Sequence, residues 1–245
     1  MGISFKKPEL IQFLHLTSQS ETLEEVLFRQ LSSFTNLKYL LLTCPNVKAI
    51  PNEIALLTNN CQLISLSLFA KSAVSLSENV YKIGSLRELR VRFQELRMPD
   101  GLTQLTNLDS LAIYGAKPFR APNDLKYTHI RDFVALSCRF ADDDAPILPA
   151  TIRVLNLAGD KLKGLPKGLD SYSQLEVLYL HGNEISEIPS DWRKLFRLQY
   201  IQLQNNKLTN VGPLQLPESM VNIDLSGNKV KPASGSTLDP RIILD

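Results

Sequence analysis

Leu175-Glu-Val-Leu178-Tyr-Leu180-His-Gly-Asn183-Glu-Ile185-Ser-Glu-Ile188-Pro189 places apolar side chains at positions 1, 4, 6, 11 and 14 of a frame, with asparagine at position 9. The same frame restarts at Leu198, with Ile201, Leu203, Asn206, Leu208 and Val211. It restarts at Met220, with Ile223, Leu225, Asn228 and Val230, and begins upstream at Ile152, with Leu155, Leu157, Asp160, Leu162 and Leu165. Looser copies lead toward the N-terminus from Ile130, Leu108, Leu86, Leu63, Leu37 and Ile11. Ten units result, at intervals of 26, 26, 23, 22, 22, 22, 23, 23 and 22 residues. Self-similarity at such a period marks a solenoid in which each unit buries its apolar face against its neighbours.

Positions 4 and 6 alternate with polar neighbours, the period-2 signature of a short strand with one buried face. Stacked units bring these strands into one parallel sheet. Asparagine at position 9 turns the chain off the strand, and its amide can satisfy backbone groups that the turn leaves without partners. Asn183, Asn206 and Asn228 form this expected ladder, with Asp160 and Cys138 as stand-ins. Pro45, Lys71, Gln94 and Ala116 depart from it, so the N-terminal half is expected to be less regular, or shifted by a residue. The return segments Pro99-Asp-Gly-Leu102-Thr-Gln-Leu105 and Pro189-Ser-Asp-Trp192-Arg-Lys-Leu195 space apolar residues three apart, which suits short 3₁₀ or helical turns starting at proline. Trp192, on that rhythm, reads as core.

These motifs resemble the leucine-rich-repeat family, L-x-x-L-x-L-x-x-N-x-L. The elements Leu148-Pro149, Leu165-Pro166, Ile188-Pro189 and Leu216-Pro217 resemble its short bacterial and typical units. The resemblance spans nearly the whole chain and is sharpest in the last four units. It implies an α/β solenoid: an arc of about ten repeats, with a parallel concave sheet and short helical or 3₁₀ turns on the convex side. The 26-residue units are expected to carry fuller helices there. Residues 1–34 read as an N-terminal cap including a degenerate first repeat, 35–230 as the array, and 231–245 as a C-terminal tail or cap. Glu21 to Leu31 has a helical rhythm through Leu23, Leu27 and Leu31. Lys231-Pro-Ala-Ser-Gly-Ser-Thr237 reads as linker, and the apolar Ile242-Ile243-Leu244 after it as a tip folding back as a cap or, alternatively, as a partner or export signal.

Composition narrows the function. A net charge of +2 lacks the basic excess expected of a nucleic-acid binder. The three cysteines, Cys44, Cys61 and Cys138, are odd in number and form no C-x-x-C pair, so free thiols in a reducing cytosol are expected, with no metal. No signal peptide or membrane-spanning stretch is read, and Lys6 stands where a myristoylated Gly2 would need Ser or Thr. His15 and His181 lie on strands seven units apart, roughly 30 Å at about 4.8 Å per strand, too far to share a metal or a proton relay. His129 precedes a unit and falls at its corner. Cys138 reads as a structural thiol, and Asp142-Asp143-Asp144 as a solvated loop. No nucleophile, phosphate loop or zinc-protease motif occurs, so neither an enzyme nor a cofactor is expected.

What remains is the concave face. Positions 3, 5 and 7 offer two candidate partner-binding patches: Phe69, Arg90, Arg92 and Tyr114, and Tyr179, His181, Tyr200 and Gln202. Rings and arginines are the types that anchor protein interfaces. The first patch is the more basic, with Arg87 and Arg131 near it and Glu88, Asp109 and Asp132 partly offsetting them, and it is the favoured one. The resemblance implies a protein-interaction scaffold, monomeric on its own, and extends to a bacterial effector acting in a host cell. The alternative is a regulator of an enzyme, such as a GTPase-activating or phosphatase-targeting repeat protein, with Arg90 or Arg92 as a finger on the nucleotide.

Overall fold

The computed structural model describes residues 7–20, 25–50, 52–60, 62–71, 73–140, 145–231 and 239–244. Gly2, Leu23, Cys61, Asp142-Asp143-Asp144 and residues 232–237 of the linker stretch lie outside them. The strands, in chain order, are β1 (Phe13–Thr17), β2 (Tyr39–Thr43), β3 (Ser65–Phe69), β4 (Ala73–Ser75), β5 (Glu88–Arg92), β6 (Glu95–Arg97), β7 (Ser110–Tyr114), β8 (Phe119–Arg120), β9 (Asp132–Leu136), β10 (Val154–Asn156), β11 (Val177–Tyr179), β12 (Tyr200–Gln202), β13 (Asn222–Asp224) and β14 (Ile242–Ile243).

Eleven of them form one parallel sheet, in the order β1-β2-β3-β5-β7-β9-β10-β11-β12-β13-β14. The register is that of the repeat frame. Phe13 pairs with Tyr39, Tyr39 with Ser65, Ser65 with Glu88, and so on through Tyr200 with Asn222, so position 3 of each unit faces position 3 of the next. Alternation decides what is buried: in β2, Leu40 and Leu42 lie in the core while Tyr39 is exposed. The leucines and isoleucines at positions 1, 4 and 6 pack between the sheet and the return segments. The chain is a leucine-rich-repeat-like arc with a concave parallel sheet, as the frame implies.

The first two units, 26 residues long, carry the α-helices found among the described residues: α1 (Glu25–Leu31) and α2 (Leu57–Asn60). Phe28 and Leu31 of α1 are fully buried. Shorter units turn back through 3₁₀ segments such as Leu102–Gln104, Leu125–Tyr127 and Leu169–Ser171. At the far end, β14 adds one strand beyond the ten units, pairing Ile242 with Ile223 and Ile243 with Asp224.

Two features depart from the sequence reading. The register does not slip in the N-terminal half, and its strands are longer, five residues against three from Val154 onward. The irregularity lies in the turn. Position 8 takes a positive φ in the last six units, at Gly115, Ser137, Gly159, Gly182, Asn205 and Gly227, and not at Ser18, Cys44, Ala70 or Phe93. That conformation suits residues without a branched Cβ. At Gly227 an added Cβ would collide with the Asn205 side chain. The second departure is a small parallel sheet, β4-β6-β8, formed just after the turn in units three to five and extended by a bridge from Phe119 to Phe140. Leu96 and Phe119 point its buried side into the core.

Candidate functional site

The ladder residues come first because they hold the concave face in shape. Asn183 donates through Nδ2 to the Leu157 and Leu180 carbonyls at 2.8 and 2.9 Å, and accepts through Oδ1 from the Asp160 and Leu162 N–H groups, both at 3.0 Å. Asn206 repeats the pattern on Leu180, Leu203 and Ile185, and Asn228 on Leu203, Leu225 and Leu208. One side chain thus binds its own turn and the turn before it, which ties each unit to its neighbour. Asp160 keeps half of this. Its Oδ1 accepts the Cys138 N–H, but Oδ2 is buried without a partner among the described residues. Burial pushes the Asp160 carboxyl up to about 8, against the lowering pull of the Cys138 N–H and of Lys117. Cys138 ends the run, its thiol 3.7 Å from the Ile113 carbonyl oxygen. Burial, then the Asp160 charge, pushes that thiol up to about 12, which leaves it a poor nucleophile.

A second tie escaped the sequence reading. The hydroxyls of Ser85, Thr151 and Ser219, each just before a unit, donate to the Leu63, Ile130 and Leu198 carbonyls at the start of the previous one, at 2.7–2.8 Å. A Ser or Thr directly before position 1 was the signal.

The framework sets out ten rows of concave side chains, in which the two patches behave differently. In the first, Phe69 and Tyr114 are half-buried while Arg90 and Arg92 are exposed. Arg90 lies 3.1 Å from Glu88 on its own strand, and Arg87 and Arg131 share Asp109 at 3.6 and 3.7 Å. The basic character expected there is therefore largely matched by acidic neighbours, and among the described residues Arg92 alone of the two patch arginines has no ion pair. Arg90 thus has a local partner that the sequence reading did not assign it. Burial, then the nearby Asp109, raises the Asp132 carboxyl above the usual aspartate value.

In the second patch Tyr179, His181 and Gln202 are half-buried and Tyr200 is exposed. Tyr179 and His181 meet edge to face, ring centres 6.4 Å apart. Two polar atoms on this floor are orphaned among the described residues: Nδ1 of His181 and Oε1 of Gln204. These side chains occupy position 7 of adjacent units, two residues past the ends of β11 and β12, and Gln204 is fixed by donating to Asp224 Oδ2 at 2.7 Å. Buried polar atoms ordinarily find partners; Gln204 Oε1 can only accept, and His181 Nδ1 donates or accepts according to its tautomer. A third exposed region, absent from the candidate patches, is the pair Phe13 and Tyr39 at the N-terminal end of the same face.

The histidines do not converge. His15 Nε2 lies 3.1 Å from Thr43 Oγ1, and His129 is exposed at its corner. Among the described residues no cluster of three His, Cys, Asp or Glu side chains is placed to hold a metal ion, Cys44 and Cys138 are unpaired, and no helix is long and apolar enough to cross a membrane.

Comparison with known proteins agrees with this geometry. Residues 150–208 and 173–230 match the leucine rich repeat family model. Lumican from Oryctolagus cuniculus is 38% identical over 88 residues, covering 33% of this chain and 43% of that protein, so the match spans less than half of the relative. Of solved structures, InlP from Listeria monocytogenes has a TM-score of 0.61 at 15% identity, covering 97% of this chain and 61% of its own. The ectodomain of the plant receptor kinase GASSHO1/SCHENGEN3 from Arabidopsis thaliana has a TM-score of 0.57 at 22% identity, covering 94% and 29%.

Proposed function

Because the chain is a leucine-rich-repeat protein, a class that generally mediates protein–protein interaction, we propose that it is a protein-binding scaffold whose partner docks on the concave face around Tyr179, His181, Tyr200 and Gln202. One observation carries the choice of patch: the rings of Tyr179 and His181 meet edge to face, with the exposed ring of Tyr200 on the adjacent strand. The tyrosines supply contact area at low conformational cost.

The first patch supports a second reading, regulation of an enzyme, through the one patch arginine without an ion pair, Arg92. The unpaired thiols Cys44 and Cys138 favour a reducing cytosol. The proline-bearing 22–23-residue units favour delivery from a bacterium into a host cell.

The test is capture of a protein partner by the wild-type chain and by Tyr200→Asp. Loss of the partner in that variant, with the exposed convex-side change Glu187→Lys retaining it, supports the concave site. Equal capture by Tyr200→Asp and wild type overturns it.

A further inference from the structure

Position 10 of the frame follows the turn, on the flank of the array where the chain leaves the concave sheet. From unit five to unit ten it is held by Lys117, Arg139, Lys161, Glu184, Lys207 and Lys229. The backbone stacks them: the N–H groups of Lys117, Arg139, Glu184, Lys207 and Lys229 each donate to a carbonyl of the preceding unit at 2.8–3.0 Å. Successive places are therefore about 4.8 Å apart, and the column is roughly 24 Å long. Lys117, Arg139, Lys161 and Lys229 are exposed. Of the five cations only Lys207 has an ion pair among the described residues, with Glu184 at 2.7 Å. Lys207 first, and then Lys161 and Lys163, hold the Glu184 carboxyl below its usual value, so one acid is shared among several bases. Glu95 takes the same position in unit four and ends the column. Asp142, the first acid after Arg139 in unit six, lies outside the described residues.

Like charges facing each other along a ladder repel. Elsewhere the chain avoids this. Position 2 of units four to eight reads Arg87, Asp109, Arg131, Arg153 and Glu176, and each of these is in an ion pair, at 3.6 or 3.7 Å. Position 10 instead sets three cations in succession with no acid among them. A column that costs repulsion and bonds to nothing in the fold is a surface for an anionic partner. Two features select a protein. Single-stranded nucleic acid stacks on rings set among the cations, and the exposed rings of Phe13, Tyr39, Tyr127, Phe196 and Tyr200 all lie elsewhere. A nucleic acid also carries a charge on every phosphate and cannot spare the place opposite Glu184, whereas a polypeptide can put a neutral side chain there. An α-helix advances about 5.4 Å per turn, close to the unit spacing, so acids three or four residues apart on one face meet successive units. We propose that this column is a docking surface for an acidic helix of a partner protein, laid along the array with its carboxylates against Lys117, Arg139 and Lys161 and again against Lys207 and Lys229. A helix of about 16 residues spans it. The surface is separate from the concave patch and stands independently of the reading given to that patch.

The probe is a fluorescein-labelled, alanine-rich helical peptide with glutamates three or four residues apart along one face, titrated with the full chain and followed by anisotropy. The expected result is saturable binding that weakens as salt rises from about 50 to about 300 mM. Lys117→Glu with Arg139→Glu should weaken it at least tenfold and leave the circular dichroism unchanged, since both sites are exposed. Glu184→Lys fills the break in the column and should tighten binding at least threefold. Tyr200→Asp should leave the affinity unchanged, so failure here and failure of the concave site are told apart. A peptide with glutamine in place of glutamate should not bind, and one with the same glutamates scattered over all faces should bind at least threefold more weakly. Unchanged affinity in the double variant or in Glu184→Lys overturns the proposal. So does equal binding of either control peptide, or an oligothymidylate bound as tightly as the acidic helix.

Discussion

Asp160 accepts the backbone N–H of Cys138 at 2.6 Å and, one turn along, its own N–H is accepted at 3.0 Å by Asn183. A carboxylate thus occupies a rung of a ladder otherwise made of amides. An amide there would also donate, as Asn183 does. An ionised carboxylate has nothing to donate, and its Oδ2 is buried alone. Only the protonated acid can act as a donor.

That relationship gives a pH dependence whose sign follows from proton linkage. The folded-state carboxyl titrates at about 8, well above the roughly 3.9 of an unfolded aspartate. Between these values the unfolded chain has released a proton that the folded chain keeps, so stability falls as pH rises from about 4 to about 8 and then levels off. Asp160→Asn completes the rung and removes this loss. Urea unfolding should show the variant more stable, with a gap that widens by up to about 1.4 kcal/mol per pH unit between pH 5 and 8. A gap that stays constant with pH would remove Asp160 from the explanation.

Asn206→Ala takes away two donated bonds, to Leu180 and Leu203, and one accepted from Ile185. The backbone groups left behind are partly buried, so the cost should be about 1–3 kcal/mol. Thermal unfolding measures it, and an unchanged midpoint would contradict the role given to this side chain.

The thiols offer a chemical check. Burial raises both Cys44 and Cys138, and neither is exposed. A disulfide reagent at pH 8 should leave both unmodified in the folded protein, and peptide mapping should find them labelled only after denaturant. Rapid labelling of Cys138 without denaturant would mean that its turn opens readily.

The two concave patches make opposite predictions about salt. If the partner engages Arg92, the on-rate falls as salt rises, and Arg92→Glu weakens binding at least tenfold, about 1.4 kcal/mol, with the fold intact. The patch around Tyr200 predicts little salt dependence and little effect of Arg92→Glu. Surface plasmon resonance at two salt concentrations separates the outcomes.

The strands were legible because the signal that makes them is periodic. An apolar residue at positions 4 and 6 recurs in every unit, and Phe13, Tyr39 and Ser65 pair where the frame puts them. The small sheet was not legible, since the residues that pair in it, Val74, Leu96 and Phe119, fall at positions 12, 11 and 12 of their units, and two or three residues are too few to show an alternation. The positive-φ column was half written in Gly115, Gly159, Gly182 and Gly227, but Ser137 and Asn205 hide it among ordinary polar residues. In the candidate site, the sequence placed the rings and arginines on one face. It could not show that Arg90 meets Glu88 or that His181 Nδ1 and Gln204 Oε1 lack partners among the described residues, because those depend on rotamers that spacing does not encode.

The short strand Ile242–Ile243 occupies the outermost place in the main sheet. The strand before it, Asn222–Asp224, would otherwise present a bare row of N–H and C=O groups, a template on which another chain can grow. The Arg241 guanidinium, hydrogen-bonded to the Pro217 carbonyl and to Asp239, pins this closing piece to the array. Two isoleucines therefore cover the edge of the strand before them. Cutting the chain after Lys231 would bare the edge of Asn222–Asp224 for pairing with another chain.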